Sequence, residues 1–289
     1  MIIDCHYHFD ERIYPVERII EFMDMAGVDR IALMAYLSDP FSDPPVYVMN
    51  IFRFIMTNRF LRGLGKLIKP KVTPDGDILL PRGDIRINRD PENEPVFKLV
   101  DKYPDRILGW IFVNPNGERD QVEEFERWAD SPGFIGVKAH PFWHYYPIVK
   151  LAPIAKRLKE MGKPLLLHVG YDENGDYDAL LNDVPDLKLI LAHAGFPLFR
   201  DTWKKIRNKE NIFVDLSQTS YVSEGMIQRV VEYLGVDRCI FGTDGPHGLI
   251  GKDGAFDYGL IKRRIEGIFP DIGIQRRLLG DNFAEIIGI

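Results

Sequence analysis

Eight short apolar runs recur along this chain, and they constrain its fold more than any other feature. They are MIIDCHYHF (1–9), RIALMAYL (30–37), RILGWIFV (106–113), FIGVKAH (134–140), PLLLHVG (164–170), LKLILAHAG (187–195), NIFVDLS (211–217) and RCIFGTD (238–244). Stretches with helical spacing lie between them, such as VERIIEFMDMAG, LAPIAKRLKEMG and MIQRVVEYLG. Strands that alternate with helices imply a parallel sheet, and eight such units predict closure into a (β/α)8 barrel, an α/β TIM barrel. Gly27, Gly162 and Gly235 stand where a left-handed residue would close a helix before the next strand.

One connection breaks the rhythm. Residues 38–95 separate the second run from the third, far more than the few residues usual between elements. The first half, VYVMNIFRFIMTNRFLRGLGKLIK, has helical spacing and carries Arg53, Arg59, Arg62, Lys66 and Lys69; the second half, PDGDILLPRGDIRI, reads as a hairpin or an excursion. We treat residues 1–289 as a single domain with 38–95 inserted between strands 2 and 3. The insertion follows the carboxyl end of a strand, so it is expected on the catalytic face as a lid or pocket wall. The competing uses are a solvated amphipathic helix or a homodimer contact.

Bulk properties narrow the chemistry. A hydrophobic content of 45% suffices for one large core, and the net charge of −6 with no basic tail disfavours nucleic acid or an anionic membrane as partner. No uncharged stretch approaches the roughly 20 residues that span a bilayer, and no signal-peptide pattern opens the sequence. The expectation is a cytoplasmic protein acting on a small molecule. Cys5 and Cys239 are expected on outward, helix-facing positions as reduced packing residues.

Strand ends carry the polar signal. In DCHYH, period two places Asp4, His6 and His8 on one face and Cys5 and Tyr7 on the other. Lys138 and His140 end the fourth run, His168 the fifth, His193 the sixth and Asp244 the eighth, so barrel closure gathers five of the seven histidines at one rim. Neutral imidazoles with a carboxylate suit a borderline divalent cation, with Zn²⁺ the commonest and Mn²⁺, Fe²⁺ or Co²⁺ as alternatives. Such an ion lowers the pKa of a bound water to about 7.

The motifs DCHYH, GVKAHP, LLLHVG, LILAHAGFP and FGTDGPHG, in that order, resemble the successive strand-end motifs of the amidohydrolase superfamily. The tail RRLLGDNFAEIIGI is similar to the closing segment of its amidohydrolase-related branch, which includes aminocarboxymuconate-semialdehyde decarboxylase. The resemblance implies one divalent metal held by His6, His8, His168 and Asp244, with a second metal disfavoured. It also implies His193 in acid–base chemistry, and metal-dependent hydrolysis or non-oxidative decarboxylation as the reaction. Both His6 and His8 are present, where aromatic-acid decarboxylases of that branch often carry Glu in place of one histidine, and this favours hydrolysis of an amide or lactone. A catalytically silent metal-binding protein is the reading from another class.

Several residues keep alternatives open. Lys138 is read as a catalytic group binding a substrate carboxylate or oxyanion, against a carbamate bridging two metals or a buried ion pair. His140 shares its face and is read as substrate-binding. Trp143, His144 and Tyr145 form either a stacking wall for substrate or a loop packed on its own barrel. His247 touches substrate or is a solvated turn residue. Asp4 orients a histidine or caps local structure, and Asp215 is assigned the wrong face for the site and a structural hydrogen-bonding role.

Overall fold

The computed structural model describes residues 1–40, 46–58, 60–61, 71–73, 77–79, 84–251 and 254–289. Arg59, Arg62, Lys66 and Lys69, and parts of the second half of the 38–95 segment, lie outside the described residues.

All eight apolar runs form strands: β1 (Ile3–Phe9), β2 (Arg30–Ala35), β5 (Ile107–Val113), β6 (Phe134–Ala139), β7 (Leu165–Leu167), β8 (Leu189–Leu191), β9 (Ile212–Asp215) and β10 (Cys239–Ile240). They pair in parallel in the order β1-β2-β5-β6-β7-β8-β9-β10. The two edges then meet. Cys5 N–H donates to Phe241 O (3.1 Å), Asp244 N–H to His6 O (2.7 Å) and His8 N–H to Gly245 O (2.8 Å). The sheet therefore curls back on itself and sets His6 and His8 beside Asp244.

Two apolar layers sandwich the strands. The inner cluster takes Ile3 and Cys5, Ala32 and Met34, Leu108 and Trp110, Ile135, Leu166, Ile190 and Ile240, and is joined by Phe283, Ile286 and Ile287 of the last helix. The outer cluster packs Leu33, Ile111, Val137, Leu165, Leu167, Leu191 and Val214 against helix residues such as Ile19, Met23, Val100 and Leu158. Burying each such aliphatic side chain contributes about 1.5–3 kcal/mol. Helix α1 (Val16–Ala26) and the helix Ala152–Met161 end at Gly27 and Gly162 in the left-handed region, as the sequence suggests; Gly235 does not, its φ of 94° and ψ of 155° marking a different turn.

Strict alternation fails in β1, with consequences for the site. Asp4 pairs with Ile31 and Tyr7 with Leu33, so β1 carries one residue more than β2 between those points. This is a β-bulge, which re-aims side chains. Cys5 and His6 both fall opposite Ala32, an inner position, whereas Asp4 aligns with helix-facing Ile31. Two expectations are thereby corrected: Asp4 does not share the face of His6 and His8, and Cys5 is an inner residue rather than an outer one. Cys239 does pack in the outer layer.

A second register shift, between Gly109 and Trp110, sets Gly136 opposite Trp110 and Lys138 opposite Phe112. Gly136 is required by space: a Cβ there would lie 2.3 Å from Pro164 O and 2.7 Å from Trp110 Cζ3. Gly136→Ala is expected to lose about 1–3 kcal/mol by overpacking. Gly267→Ala, in the helix Leu260–Ile268 with nothing within 4 Å of the new methyl, should gain about 0.5–1 kcal/mol. Urea unfolding of the pair measures both signs.

Between β2 and β5 the chain forms helix α2 (Val46–Thr57), a small antiparallel pair β3 (Lys71–Val72) and β4 (Ile78–Leu79), and helix α3 (Glu94–Lys102). Ile78, Ile85 and Ile87 pack with Leu37 and Trp143, which lie beyond the ends of β2 and β6. Arg53 of α2 donates to Thr219 O (3.2 Å) and Ser220 O (2.9 Å) after β9. Both contacts lie on the face where the strands end. Among the described residues no helix is long and apolar enough to cross a membrane.

Candidate metal centre

Asp215 organises the centre. Ile212 and Val214 face the helices, so Phe213 and Asp215 point inward, and Asp215 is fully buried. Its Oδ2 lies 2.9 Å from His6 Nδ1, while Oδ1 accepts from His193 N–H (2.8 Å), Ser217 N–H (3.0 Å) and the Ser217 hydroxyl. Burial would raise this carboxyl, but His6, His193 and the Ser217 hydrogen bond hold it far below the usual carboxylate range. The assignment of Asp215 to the wrong face is thus corrected. Its signal was in the sequence, in the parity it shares with Phe213 opposite Ile212 and Val214.

These bonds assign the imidazole tautomers. Asp215 can only accept, so His6 carries its proton on Nδ1 and turns the Nε2 lone pair inward. His8 Nδ1 donates to Ala35 O (2.9 Å), which again leaves Nε2 as an acceptor. Ser217 gives its hydroxyl proton to Asp215, so His193 donates to Ser217 Oγ through Nδ1 (2.8 Å). His193 Nε2 then accepts from His168 Nδ1–H (3.1 Å), and His168 Nε2 is left as a buried acceptor with no partner among the described residues.

Acceptors therefore converge. His6 Nε2 lies 3.0 Å, and His8 Nε2 3.7 Å, from Asp244 Oδ1. Two lone pairs aimed at a carboxylate oxygen repel unless positive charge sits among them. The structure meets this partly with Lys138, whose Nζ is 2.9 Å from His6 Nε2. The same crowding of negative charge acts on His6: burial and Lys138 lower it, yet Asp244 and Asp215 outweigh them and raise it. Burial drives His8, His140 and His168 well below the ordinary histidine value and takes His193 to about 4, so these rings stay neutral. Burial also lowers Lys138 to about 8 against the pull of Asp244 and Asp215. Neutral imidazoles, an ionised carboxylate and an orphaned buried nitrogen fit a divalent cation.

The expected residues are not all equally close. His6, His8 and Asp244 offer ligand atoms within 4.8 Å of one another, and so do His6, His193 and Asp215. His168 stands outside both groups, behind His193. Asp244, at φ 59°, and His193, at φ 54°, both hold the left-handed conformation uncommon for such residues, which is strain of the kind found at functional sites. Asp244 Oδ2 accepts from Gln218 Nε2 (3.0 Å) and lies 3.8 Å from His193 Nε2; Gln218 was not singled out in the sequence.

Asp4 works behind this layer. It accepts from Thr243 N–H (2.9 Å), Thr243 Oγ1–H (2.6 Å), His6 N–H (3.1 Å) and Tyr258 O–H (3.0 Å). It touches no imidazole ring, so it anchors the residue before Asp244 rather than orienting a histidine. Burial pushes its carboxyl up to about 6 despite these bonds.

The remaining rim residues divide. His140 is buried with its ring centroid 4.1 Å from that of His168, and its Nδ1 accepts from Trp143 N–H (3.1 Å). His144 is buried and bonded through Nε2 to Asn88 O (3.0 Å), tying the rim loop to the segment after β4, and burial takes it to about 4. Trp143 packs on that same segment, Tyr145 is half exposed, and His247 is half-buried in the turn after Asp244. Phe142 stacks on His168 with centroids 5.4 Å apart.

Comparison with known proteins agrees with this architecture. No curated protein sequence matches the chain. Among solved structures it resembles 4-oxalomesaconate hydratase from Rhodopseudomonas palustris, with a TM-score of 0.62, 16% identity, and coverage of 100% of this chain and 96% of that one. It also resembles 2,6-dihydroxybenzoate decarboxylase, with a TM-score of 0.60, 14% identity, and coverage of 100% and 99%. A third is a probable 2-pyrone-4,6-dicarboxylic acid hydrolase from Acinetobacter baumannii, with a TM-score of 0.61, 14% identity, and coverage of 100% and 99%. At such identities the likeness is one of fold. The amidohydrolase family model matches residues 3–289, and the chain belongs to that family.

Proposed function

We propose that this protein is a metal-dependent hydrolase, built on a closed (β/α)8 barrel, that cleaves an amide or lactone bond of a small anionic molecule. One observation carries the reading: the Nε2 lone pairs of His6 and His8 converge on Asp244 Oδ1, with the unpartnered Nε2 of His168 nearby behind His193. Such a set suits a single ion, with Zn²⁺ favoured by donor type. When bound, the ion stabilises a hydroxide nucleophile near neutral pH.

The chain's own groups do the rest. Asp244, ionised and steadied through Oδ2 by Gln218, takes the proton of the attacking water and returns it to the leaving group. His193 Nε2 lies 3.8 Å from that oxygen and would relay the proton on exchanging its bond from His168. Lys138 Nζ lies 2.9 Å from His6 Nε2, and with that lone pair on an ion its N–H groups would turn to a developing oxyanion or a substrate carboxylate. The described parts of residues 38–95 are assigned to a lid; support comes from Arg53 bonded to the loop after β9 and from the isoleucine cluster against Trp143. Trp143, His140, His144 and His247 then stand as wall residues, and a homodimer is an open use of the α2 face.

One observation favours a second reading, decarboxylation of an aromatic or enoic acid. His193 has its Nδ1–H held by Ser217 and Asp215, so a proton taken from water at Nε2, in exchange for the bond from His168, would be the one passed to carbon as CO2 leaves. The fold likeness to a hydratase, a decarboxylase and a hydrolase of cyclic or unsaturated acids keeps both reactions in view. Product analysis on a panel of lactones, amides and aromatic carboxylic acids, with Zn²⁺ or Mn²⁺ supplied, separates them. Hydrolysis predicts net incorporation of one oxygen from labelled water. Release of CO2 with no such incorporation would replace the first reading by the second.

A further inference from the structure

A second concave site lies in the outer helical layer, between the helices Arg200–Ile206 and Glu224–Leu234. It encloses about 360 Å³ and is lined by Arg200, Trp203, Lys204, Arg229, Glu232 and Tyr233. A smaller hollow of about 140 Å³ shares Arg200, Trp203 and Arg229 and runs on to Thr57, at the end of α2.

Charge and floor single this groove out. The chain carries a net charge of −6, yet three cations gather here against one acid. That acid, Glu232, is held by a bond from Gln228 Nε2 to its Oε1 (2.9 Å) and leaves the groove a net excess of positive charge. The neighbouring Lys205 and Lys209 share one carboxylate, Asp178, each at 2.7 Å. Among the described residues, Arg200, Lys204 and Arg229 have no carboxylate within 4.0 Å. Arg200 and Lys204 are also four residues apart on one helix face, where like charges repel. The floor is Trp203, 3% exposed and fixed by its indole N–H donating to Ala194 O (2.7 Å), with Tyr233 beside it.

We propose that this groove binds a small planar anion, a ring bearing a carboxylate or a phosphate. Guanidinium groups recognise either anion in a bidentate fork and also stack on flat rings. Trp203 is buried and supplies a rigid floor, so a flat ring stacks on the exposed Arg200 or Arg229 guanidinium. The volume of this open groove lies within the range of small-ligand pockets. This proposal is independent of the reaction assigned to the metal centre.

Isothermal titration of the intact protein tests it with two probes, 1-naphthoate and AMP, and two neutral controls, 1-naphthalenemethanol and adenosine. At least one anion should bind with a Kd below about 1 mM, at least tenfold tighter than its neutral counterpart. Whichever probe binds identifies the anion source. The double variant Arg200→Glu/Arg229→Glu changes two exposed side chains and should leave the thermal melt unchanged while abolishing that binding. A probe that also enters the metal centre would leave a residual isotherm in the double variant, and the groove is then the lost part. Absence of saturable binding by both anions overturns the proposal. So does binding that the double variant leaves intact, or neutral analogues that bind as tightly.

Discussion

Asp244→Asn should lower kcat/KM by about 10²–10⁴-fold, while the thermal melt stays within about 1 kcal/mol of the parent. The reason lies in the direction of lone pairs. The amide oxygen can keep the bond from Gln218 at the Oδ2 position, which turns the new N–H2 toward His6 Nε2, 3.0 Å from the present Oδ1. The cluster then satisfies itself without a cation. Bound metal should fall below one ion per chain, measured by mass spectrometry alongside the kinetics and the melt. A catalytically silent protein would show no metal-dependent turnover to lose, and full turnover with full metal in the variant would remove Asp244 from the chemistry.

The larger stability effect belongs to Asp215. Asp215→Ala strips a buried carboxylate from His6 Nδ1–H, two backbone N–H groups and the Ser217 hydroxyl, so unfolding free energy should drop by about 3–5 kcal/mol. Asp215→Asn separates position from packing. Three donors converge at Oδ1, so the amide oxygen must stay there and the amide N–H2 faces His6 Nδ1. That forces the His6 proton onto Nε2, pointing it at Asp244 where a lone pair is needed. Stability should fall less than in the alanine variant, yet metal affinity should fall by about 10–100-fold. Urea unfolding and metal titration of the two variants read these quantities. A loss below about 1 kcal/mol in Asp215→Ala would mean that the network carries little of the fold.

Much of the strand framework was legible because its signal is local. The run PLLLHVG is aliphatic, bounded by helix and turn signals, and ends in a polar residue, and β7 occupies it with Leu165 and Leu167 against the helices and Leu166 inside. His6, His8 and Asp244 were likewise readable as strand-end polar groups. Partners were not. His6 and Asp215 are 209 residues apart, and nothing near either one records that they touch. The same holds for Arg53 and Ser220, joined across 167 residues.

By itself, the sequence determined the alternation of elements, the inward run of imidazoles and the family, since these follow from residue type and spacing along a few neighbouring positions. The tertiary structure alone decided which face Asp4 and Cys5 take, because one extra residue in β1 breaks the period of two, and a bulge is a property of pairing with β2 rather than of β1 alone. It also decided where each imidazole carries its proton. A tautomer depends on whether the other ring nitrogen meets a carboxylate, a carbonyl or a hydroxyl, and those groups reach His6, His8 and His193 only once the sheet has curled and its first and last strands have met.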